Sequence, residues 1–355
     1  MANELIKLER ATNALAEAKT LDEVKHIIDV AEAARVYSRA AKLGLEAYNH
    51  AAEVKARAER KAGEFLARLE RGIPKPFNRA LNGSEYKGIL DENKISYMAA
   101  HRWQQVNEMP EEVFEAHIAK MKGEQPISTG AILKEIKEEK REQTRHELAQ
   151  TGSNIQPSEK WHIYHGDIAT IKLDKQYDFI ITDPPYPKEY LPLWETLAIR
   201  SKEFLKPDGL LIAMSGQLYL NKIYAIMDKY LSYYWTACYL ALHQPTPLRT
   251  RNVNTTWKPI LIYGLSDKYN GKIFGDVYQS PQPEKTNHDW EQSVEGMYEL
   301  IKQICLPGQS ILDPFCGSGS TGIAAMQHHC LFDGVDVEIE NVNISKARLH
   351  DTEKK

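Results

Sequence analysis

Two short stretches hold residues whose types and spacing could do chemistry. The first is Asp183-Pro184-Pro185-Tyr186, which ends the apolar run from Tyr177 to Thr182. Consecutive prolines donate no ladder hydrogen bonds, so the chain must leave a sheet there. Ligands of open α/β sheets bind outside the carboxyl ends of strands, which puts a carboxylate, a rigid backbone and an aromatic ring at such a place. Without a function, the stretch is a proline turn with a capping Asp. With one, Asp183 Oδ and the Pro184 carbonyl are two acceptors for both protons of an exocyclic amino group. The prolines keep the acceptors aimed, and Tyr186 offers a face on which a base can stack.

The second stretch is Ser310-Ile311-Leu312-Asp313, a short strand, followed by the turn Pro314-Phe315-Cys316-Gly317-Ser318-Gly319-Ser320-Thr321 and a helix. Small residues let a ligand approach the backbone closely at a helix N-terminus. Gly317, Gly319 and Gly322 satisfy GxGxxG, a pattern shared by nucleotide folds generally. No lysine follows the glycines, which excludes a phosphate-gripping P-loop. Only about 40 residues remain, too few for the further βα units of a dinucleotide dehydrogenase. Downstream, the run Phe332 to Val335 ends at Asp336, where an acid would hydrogen-bond a ribose diol. Alone it is a surface Asp at a strand end; one βα unit after the glycine turn, the ligand role is favoured.

These stretches need a sheet to hold them, and from Trp161 onward the texture supplies one. Short β-branched or aromatic runs (WHIYH, YDFIIT, GLLIAMS, PILIYG, SILD, FDGVD) alternate with helical patterns, which predicts an α/β domain over 151–355. Residues 1–71 contain no proline and are rich in Ala, Glu, Lys, Arg and Leu, so they predict long helices. Thr20 and Glu23 have capping-box spacing, placing a helix end near Lys19 and a start at Leu21. Val24, Ile27, Ile28, Ala31 and Ala34 line one face, which suggests a hairpin or coiled coil for self-association into a dimer. A DNA-contacting arm through Arg57, Arg60, Lys61 and Arg68 is the alternative. Residues 72–150 are expected to form a small helical module, opened by a loop at Arg71 to Gly88. Ser96 and Pro110 start its helices, and the arrangement is compatible with a helix-turn-helix exposing His101, Arg102 and Gln104. The polar run at 139–160 is expected to fray into a linker.

The Asp-Pro-Pro-Tyr motif and the glycine turn resemble those of the amino-group DNA methyltransferases, over residues 161–350. The resemblance implies a Rossmann-like sheet, S-adenosylmethionine as cofactor and direct attack by the amino nitrogen of a flipped-out base, without a covalent enzyme intermediate. It implies catalytic roles for Asp183, Pro184, Pro185 and Tyr186. Cofactor contacts are implied for Asp167, in a Gly-Asp before the catalytic strand, and for Asp313, Phe315, Gly317, Ser318, Gly319, Thr321 and Asp336. His288 and Ser293 fall in a segment resembling the one that closes over the methionine part. Lys206-Pro207-Asp208-Gly209 and Ala347-Arg348-Leu349 also fit. The catalytic motif precedes the glycine turn by about 130 residues, a circularly permuted order that resembles the β-group of these enzymes. It differs from the Asn-Pro-Pro-Tyr protein glutamine methyltransferases. Asp at the first motif position favours N6 of adenine, because the cytosine-N4 enzymes of this order more often carry Ser; N4 of cytosine is the alternative. A DNA-binding or assembly protein without catalysis is the alternative of another class. The overall character resembles orphan methyltransferases of phages and prophages, with no nuclease-like motif.

Between the two motifs, residues 217–258 hold Arg249, Arg251, Asn252, Asn254 and Lys258 with His243 and Trp257. This polar, basic set suits phosphate and base-edge contacts to double-stranded DNA, against a plain solvated loop. A net charge of −4 excludes a uniformly basic binder and leaves a local basic patch open. Cys238, Cys305, Cys316 and Cys330 form no CxxC pair, as expected of reduced thiols in a cytoplasm. No apolar run reaches the ~20 residues of a membrane helix, and MANELIKLER lacks the apolar core of a signal peptide. Adjacent His328, His329 and Cys330 face apart on a helix, so no metal is expected.

Overall fold

A computed structural model describes residues 2–71, 79–240, 246–279 and 293–354. The chain divides into two compact units, Met1–Lys140 and Arg141–Lys355.

The first unit is helical: α1 (Ala2–Glu17), α2 (Leu21–Ala40), α3 (Leu45–Arg71), α4 (Arg79–Glu92), α5 (Tyr97–Glu108), α6 (Glu111–Met121) and the first half of α7 (Thr129–Gly152). The box at Thr20 forms: Glu23 N–H donates to Thr20 Oγ1 (3.3 Å), and Thr20 N–H to Glu23 Oε2 (3.1 Å). The α2 face expected to need a second chain is covered by this one. Val24, Ile27, Ile28, Ala31 and Ala34 share a core with Ala58, Ala62 and Leu66 of α3 and with Trp103 of α5. A Cβ on Gly63 would lie 2.0 Å from the Trp103 carbonyl oxygen, so only glycine permits this approach of α3 to α5. The contacts therefore divide at 140, not at 71 or 150 as the sequence suggested. Arg57 pairs with Glu53 and Glu115, Arg60 with Glu111, and Arg68 with Glu64, while Lys61 donates to the Leu15 carbonyl (2.5 Å). The cations of the supposed arm are thus engaged within the unit.

Two helices replace expected loops. From Arg79, part of the stretch read as a loop belongs to α4, whose buried Leu90 is held by tertiary packing. The polar run at 139–160 does not fray before Gly152. The second half of α7 docks inside the second unit, where Arg145 pairs with Glu340 (3.1 Å) and bonds Asn341 Oδ1 (3.2 Å). A Cβ at Gly152 would meet the Asn343 carbonyl oxygen at 1.8 Å.

The second unit is a mixed sheet between two helical layers. Its strands are β1 (Trp161–His165), β2 (Tyr177–Thr182), β3 (Leu205–Met214), β4 (Ser232–Leu240), β7 (Trp257–Gly264), β8 (Val277–Gln279), β9 (Ser310–Asp313) and β10 (Leu331–Asp336). They stand in the order β1-β10-β9-β2-β3-β7-β4-β8, and β5 (Thr246–Leu248) pairs with β6 (Val253–Thr255) as a separate antiparallel hairpin. From β1 to β3 all pairings are parallel; β7 runs antiparallel to both β3 and β4. The two strands from the end of the chain, β9 and β10, are inserted between β1 and β2. β1, β10, β9, β2 and β3 thereby form one continuous parallel run within the mixed sheet. Ile163, Phe179, Ile181, Ile212 and Ile311 face α10 (Val294–Ile304), α11 (Ser320–Gln327) and α12 (Ile339–Glu353). Ile180, Leu211, Leu261 and Leu312 face α8 (Leu191–Phe204) and α9 (Leu220–Met227). Burial on both faces explains the near-continuous apolar runs of the parallel strands. No described helix is long and apolar enough to cross a membrane.

Candidate active site

The sheet register carries the two motifs to one edge. Pairs His165↔Asp336, Gly334↔Asp313 and Thr182↔Ala213 align the carboxyl ends of β1, β10, β9, β2 and β3. Asp183-Pro184-Pro185-Tyr186 follows β2 directly, and the glycine turn follows β9. Thr182 Oγ1 donates to Asp313 Oδ1 at 2.7 Å, and Phe315 N–H donates to the same oxygen at 3.1 Å. Asp313 is 3% exposed. Burial pushes its carboxyl up to about 6, opposed by the hydrogen bonds from Thr182, Thr321 and the Phe315 N–H and aided by the Asp183 charge.

At one end of this edge, the Tyr186 hydroxyl donates to Asp183 Oδ1. Burial and the neighbouring Asp183 charge push the phenol well above its ordinary range, so it stays a donor. A Cβ on Gly216, just past β3, would lie 3.3 Å from Tyr186 Cγ; the bare glycine lets the ring settle against the loop. Pro184 is buried and Pro185 exposed. Lys258 Nζ lies 3.9 Å from Asp183 Oδ2 and 5.2 Å from the centroid of the Tyr186 ring.

At the other end, the turn from Pro314 to Gly319 is tied down by residues far along the chain. Gly317 N–H donates to Asp336 Oδ2 (2.9 Å), and Asp336 Oδ1 accepts from Glu338 N–H (2.9 Å) and Asn341 Nδ2 (3.2 Å). Ser345 Oγ donates to the Gly317 carbonyl (2.7 Å), and Arg348 Nη1 to the Ser318 carbonyl (2.7 Å) and hydroxyl (2.8 Å). Gly319 has φ +84°, in the left-handed region, and its Cβ would stand 2.9 Å from Ser345 Oγ. Asp167 Oδ1 accepts from Ala169 N–H (2.8 Å), and Gly166 N–H reaches the Asp336 carbonyl (3.0 Å), bringing the ends of β1 and β10 together. Phe315 is half-buried beside the core on the α8 side. Ser293 caps α10 by accepting from Gly296 N–H (3.1 Å). His288 and His243 lie outside the described residues.

The donor set fits an adenosyl cofactor. Asp336, Asp167 and Asp313 offer acceptors for hydroxyl and amino groups, and the one arginine at the turn is engaged by Ser318. Nothing stands within 4 Å of the position a Cβ would take on Gly317, which leaves the backbone open to approach. Of the residues expected to contact a cofactor, Asp167, Ser293, Asp313, Phe315, Gly317, Ser318, Gly319, Thr321 and Asp336 are described.

The hairpin of β5 and β6 presents Arg249, Arg251, Asn252 and Asn254, all exposed. Asn252 takes φ +54°, the left-handed turn conformation that asparagine tolerates. Gln217 anchors the hairpin to the loop after β3: its Nε2 donates to Thr255 Oγ1 (3.1 Å) and to the Trp257 carbonyl (3.0 Å). Sequence reasoning passed over Gln217, Ser345 and Thr182, because each acts through a partner distant in sequence, and over Asn341, whose partner Asp336 is five residues away. It also passed over His117 on α6, which with Glu135 and Glu139 on α7 is one group of metal-ligand spacing among the described residues. Lys120 pairs with both glutamates there and supplies counter-charge.

Residues 177–347 match the family described as DNA methylase. The Type II methyltransferase M.HpaI of Haemophilus parainfluenzae is 23% identical over 219 residues, covering 50% of this chain and 69% of that protein. The Type II methyltransferase M2.MboI of Moraxella bovis is 34% identical over 95 residues, 25% of this chain and 35% of its own length. The crystal structure of the M1.HpyAVI–SAM complex aligns with a TM-score of 0.43 and 24% identity over 53% of this chain and 99% of that one. The cytosine-N4-specific PvuII DNA methyltransferase aligns at 0.45 and 14%, over 56% and 93%. The DNA methylase family match spans 171 of the 355 residues, just under half of the chain, and takes in both the Asp-Pro-Pro-Tyr motif and the glycine turn.

Proposed function

We propose that this chain methylates the N6 amino group of adenine in double-stranded DNA, on a base flipped out of the duplex. The observation that carries the reading is the Asp-Pro-Pro-Tyr motif at the carboxyl end of β2, one hydrogen bond through Thr182 from the Asp313 that opens the glycine turn. When bound, S-adenosylmethionine supplies an electrophilic methyl. Asp183 Oδ and the Pro184 carbonyl accept the two amino protons, which keeps the nitrogen lone pair out of the ring and directed. Tyr186 stacks on the base, and its hydroxyl holds the Asp183 carboxylate in place before the base arrives. The proton that the nitrogen sheds leaves along the bond to Asp183.

Asp167, Asp313, Phe315, Gly317, Ser318, Gly319, Thr321, Asp336, His288 and Ser293 form the proposed cofactor site. Arg249, Arg251, Asn252 and Asn254 form the proposed DNA contact, where a narrow hairpin suits a groove. Asp at the first motif position favours adenine over cytosine, and the permuted order favours the β-group. The orphan character, serving a phage or prophage in a cytoplasm, follows the same resemblance. No dimer through the first helices is proposed, since α2 and α3 cover one another's apolar faces.

Long-read sequencing of DNA from cells expressing the protein tests this directly. N6-methyladenine in one sequence context supports it; N4-methylcytosine replaces adenine with cytosine as the target; unmodified DNA removes the activity.

A further inference from the structure

Lys258 reads in the sequence as one more cation of the DNA-contacting hairpin. Its position says otherwise. Arg249 and Arg251 are exposed at the hairpin turn, whereas Lys258, half-buried on β7, points its ammonium between Asp183 Oδ2 (3.9 Å) and the Tyr186 ring (5.2 Å to the centroid). Its backbone is held on both sides by the loop that seats the tyrosine. The Trp257 carbonyl accepts from Gln217 Nε2 (3.0 Å), and the Pro259 carbonyl accepts from Ser215 N–H (2.9 Å). Gly216, between these two donors, is the residue against which Tyr186 rests. Lys258 is also registered with Tyr239 across the β4–β7 pairing. A lysine meant only for a phosphate needs none of this anchoring.

We propose that Lys258 is a positioning residue of the catalytic motif. Its ammonium holds the second oxygen of Asp183 and the face of Tyr186 in the base-free site, and remains the counter-charge of Asp183 when the base enters. A cation over an aromatic face and beside a carboxylate is attracted to both, so one side chain orients the two groups that receive the base. The inference rests on the role of Asp183 as amino acceptor.

The test uses the full-length protein, labelled S-adenosylmethionine and DNA from a host that lacks the modification. Turnover and KM for DNA are measured between about 50 and 200 mM salt for the wild type, Lys258→Met and Lys258→Arg, with Asp183→Ala alongside. Lys258→Met is expected to lower kcat about tenfold, with KM and its salt dependence unchanged, and Lys258→Arg to recover most of the loss. A normal kcat in Lys258→Met overturns the proposal, whatever happens to KM. If KM then rises and the salt slope becomes shallower by about one, Lys258 is a phosphate contact. Cofactor titration checks that the variant is folded; should Lys258→Met fail it, Lys258→Gln takes its place in the same comparison. Near-normal turnover by Asp183→Ala would sink the functional reading itself, while an inactive Asp183→Ala with an unaffected Lys258→Met sinks only the role of the lysine.

Discussion

Thr182 and Asp313 are about 130 residues apart in the chain and 2.7 Å apart in the fold, hydroxyl to carboxylate. Each is the last residue of its strand, so this one bond ties the start of the Asp-Pro-Pro-Tyr motif to the start of the glycine turn. Alignment of an attacking nitrogen with a methyl group depends on that relation.

Asp313 gives the protein a pH dependence of unusual sign. Its carboxyl is pushed up to about 6 in the fold, against an ordinary value near 3.8. The folded state therefore binds more protons between these values, and stability falls as pH rises through about 4 to 6. The shift amounts to roughly 3 kcal/mol at most. Urea unfolding of the wild type and Asp313→Asn at several pH values should show the stability difference changing by that order across the window and staying flat above about 7. A difference independent of pH would place the raised group elsewhere.

Asp336→Ala should weaken S-adenosylmethionine binding by roughly ten- to a hundredfold, as expected for a lost carboxylate contact of about 1.5 to 3 kcal/mol. The variant also frees Gly317 N–H, Glu338 N–H and Asn341 Nδ2, so the glycine turn loses its tether. DNA affinity should change little. Calorimetric titration of cofactor and DNA separately measures both, and unchanged cofactor affinity would mean that the ribose is held at a different strand end.

The helical unit should not survive removal of residues 1–71. Trp103, Ala100 and Leu90 would lose the core they share with α2 and α3. Far-ultraviolet circular dichroism and limited proteolysis of a 72–355 fragment are expected to show loss of helix from α4 to α6 while cofactor binding persists. Gly63→Leu in the full chain should act the same way in milder form, since any side chain there collides with the Trp103 carbonyl. A truncated protein with α4 to α6 intact would show that these helices have a core of their own.

The placement of the candidate site was legible where its motifs sat at strand ends. Asp183 to Tyr186 and the glycine turn each close an apolar run, and a strand that stops at prolines or glycines declares where its ligand edge is. The texture of the parallel strands showed the sheet for the same reason, as they are buried on both faces. β4 was passed over because its first half alternates exposed Tyr233 and Trp235 with half-buried positions, so no apolar run marks it. α4 and the end of α7 are helical through tertiary contacts at Leu90, Arg145 and Gly152, which local composition does not record. Lys258 was grouped with its sequence neighbours on the hairpin. Its partners, Asp183 and Tyr186, lie more than 70 residues away in the chain, and the β2–β3 and β3–β7 pairings together bring them near.

The central claim is that Asp183 receives the amino group that is methylated. It is tested most directly by counting labelled methyl groups transferred from S-adenosylmethionine to DNA by the wild type and by Asp183→Ala, with cofactor affinity measured on the same preparations. Loss of this acceptor is predicted to lower the rate by about a hundredfold or more, roughly 3 kcal/mol, with cofactor affinity nearly unchanged. Near-normal transfer by Asp183→Ala would contradict the account.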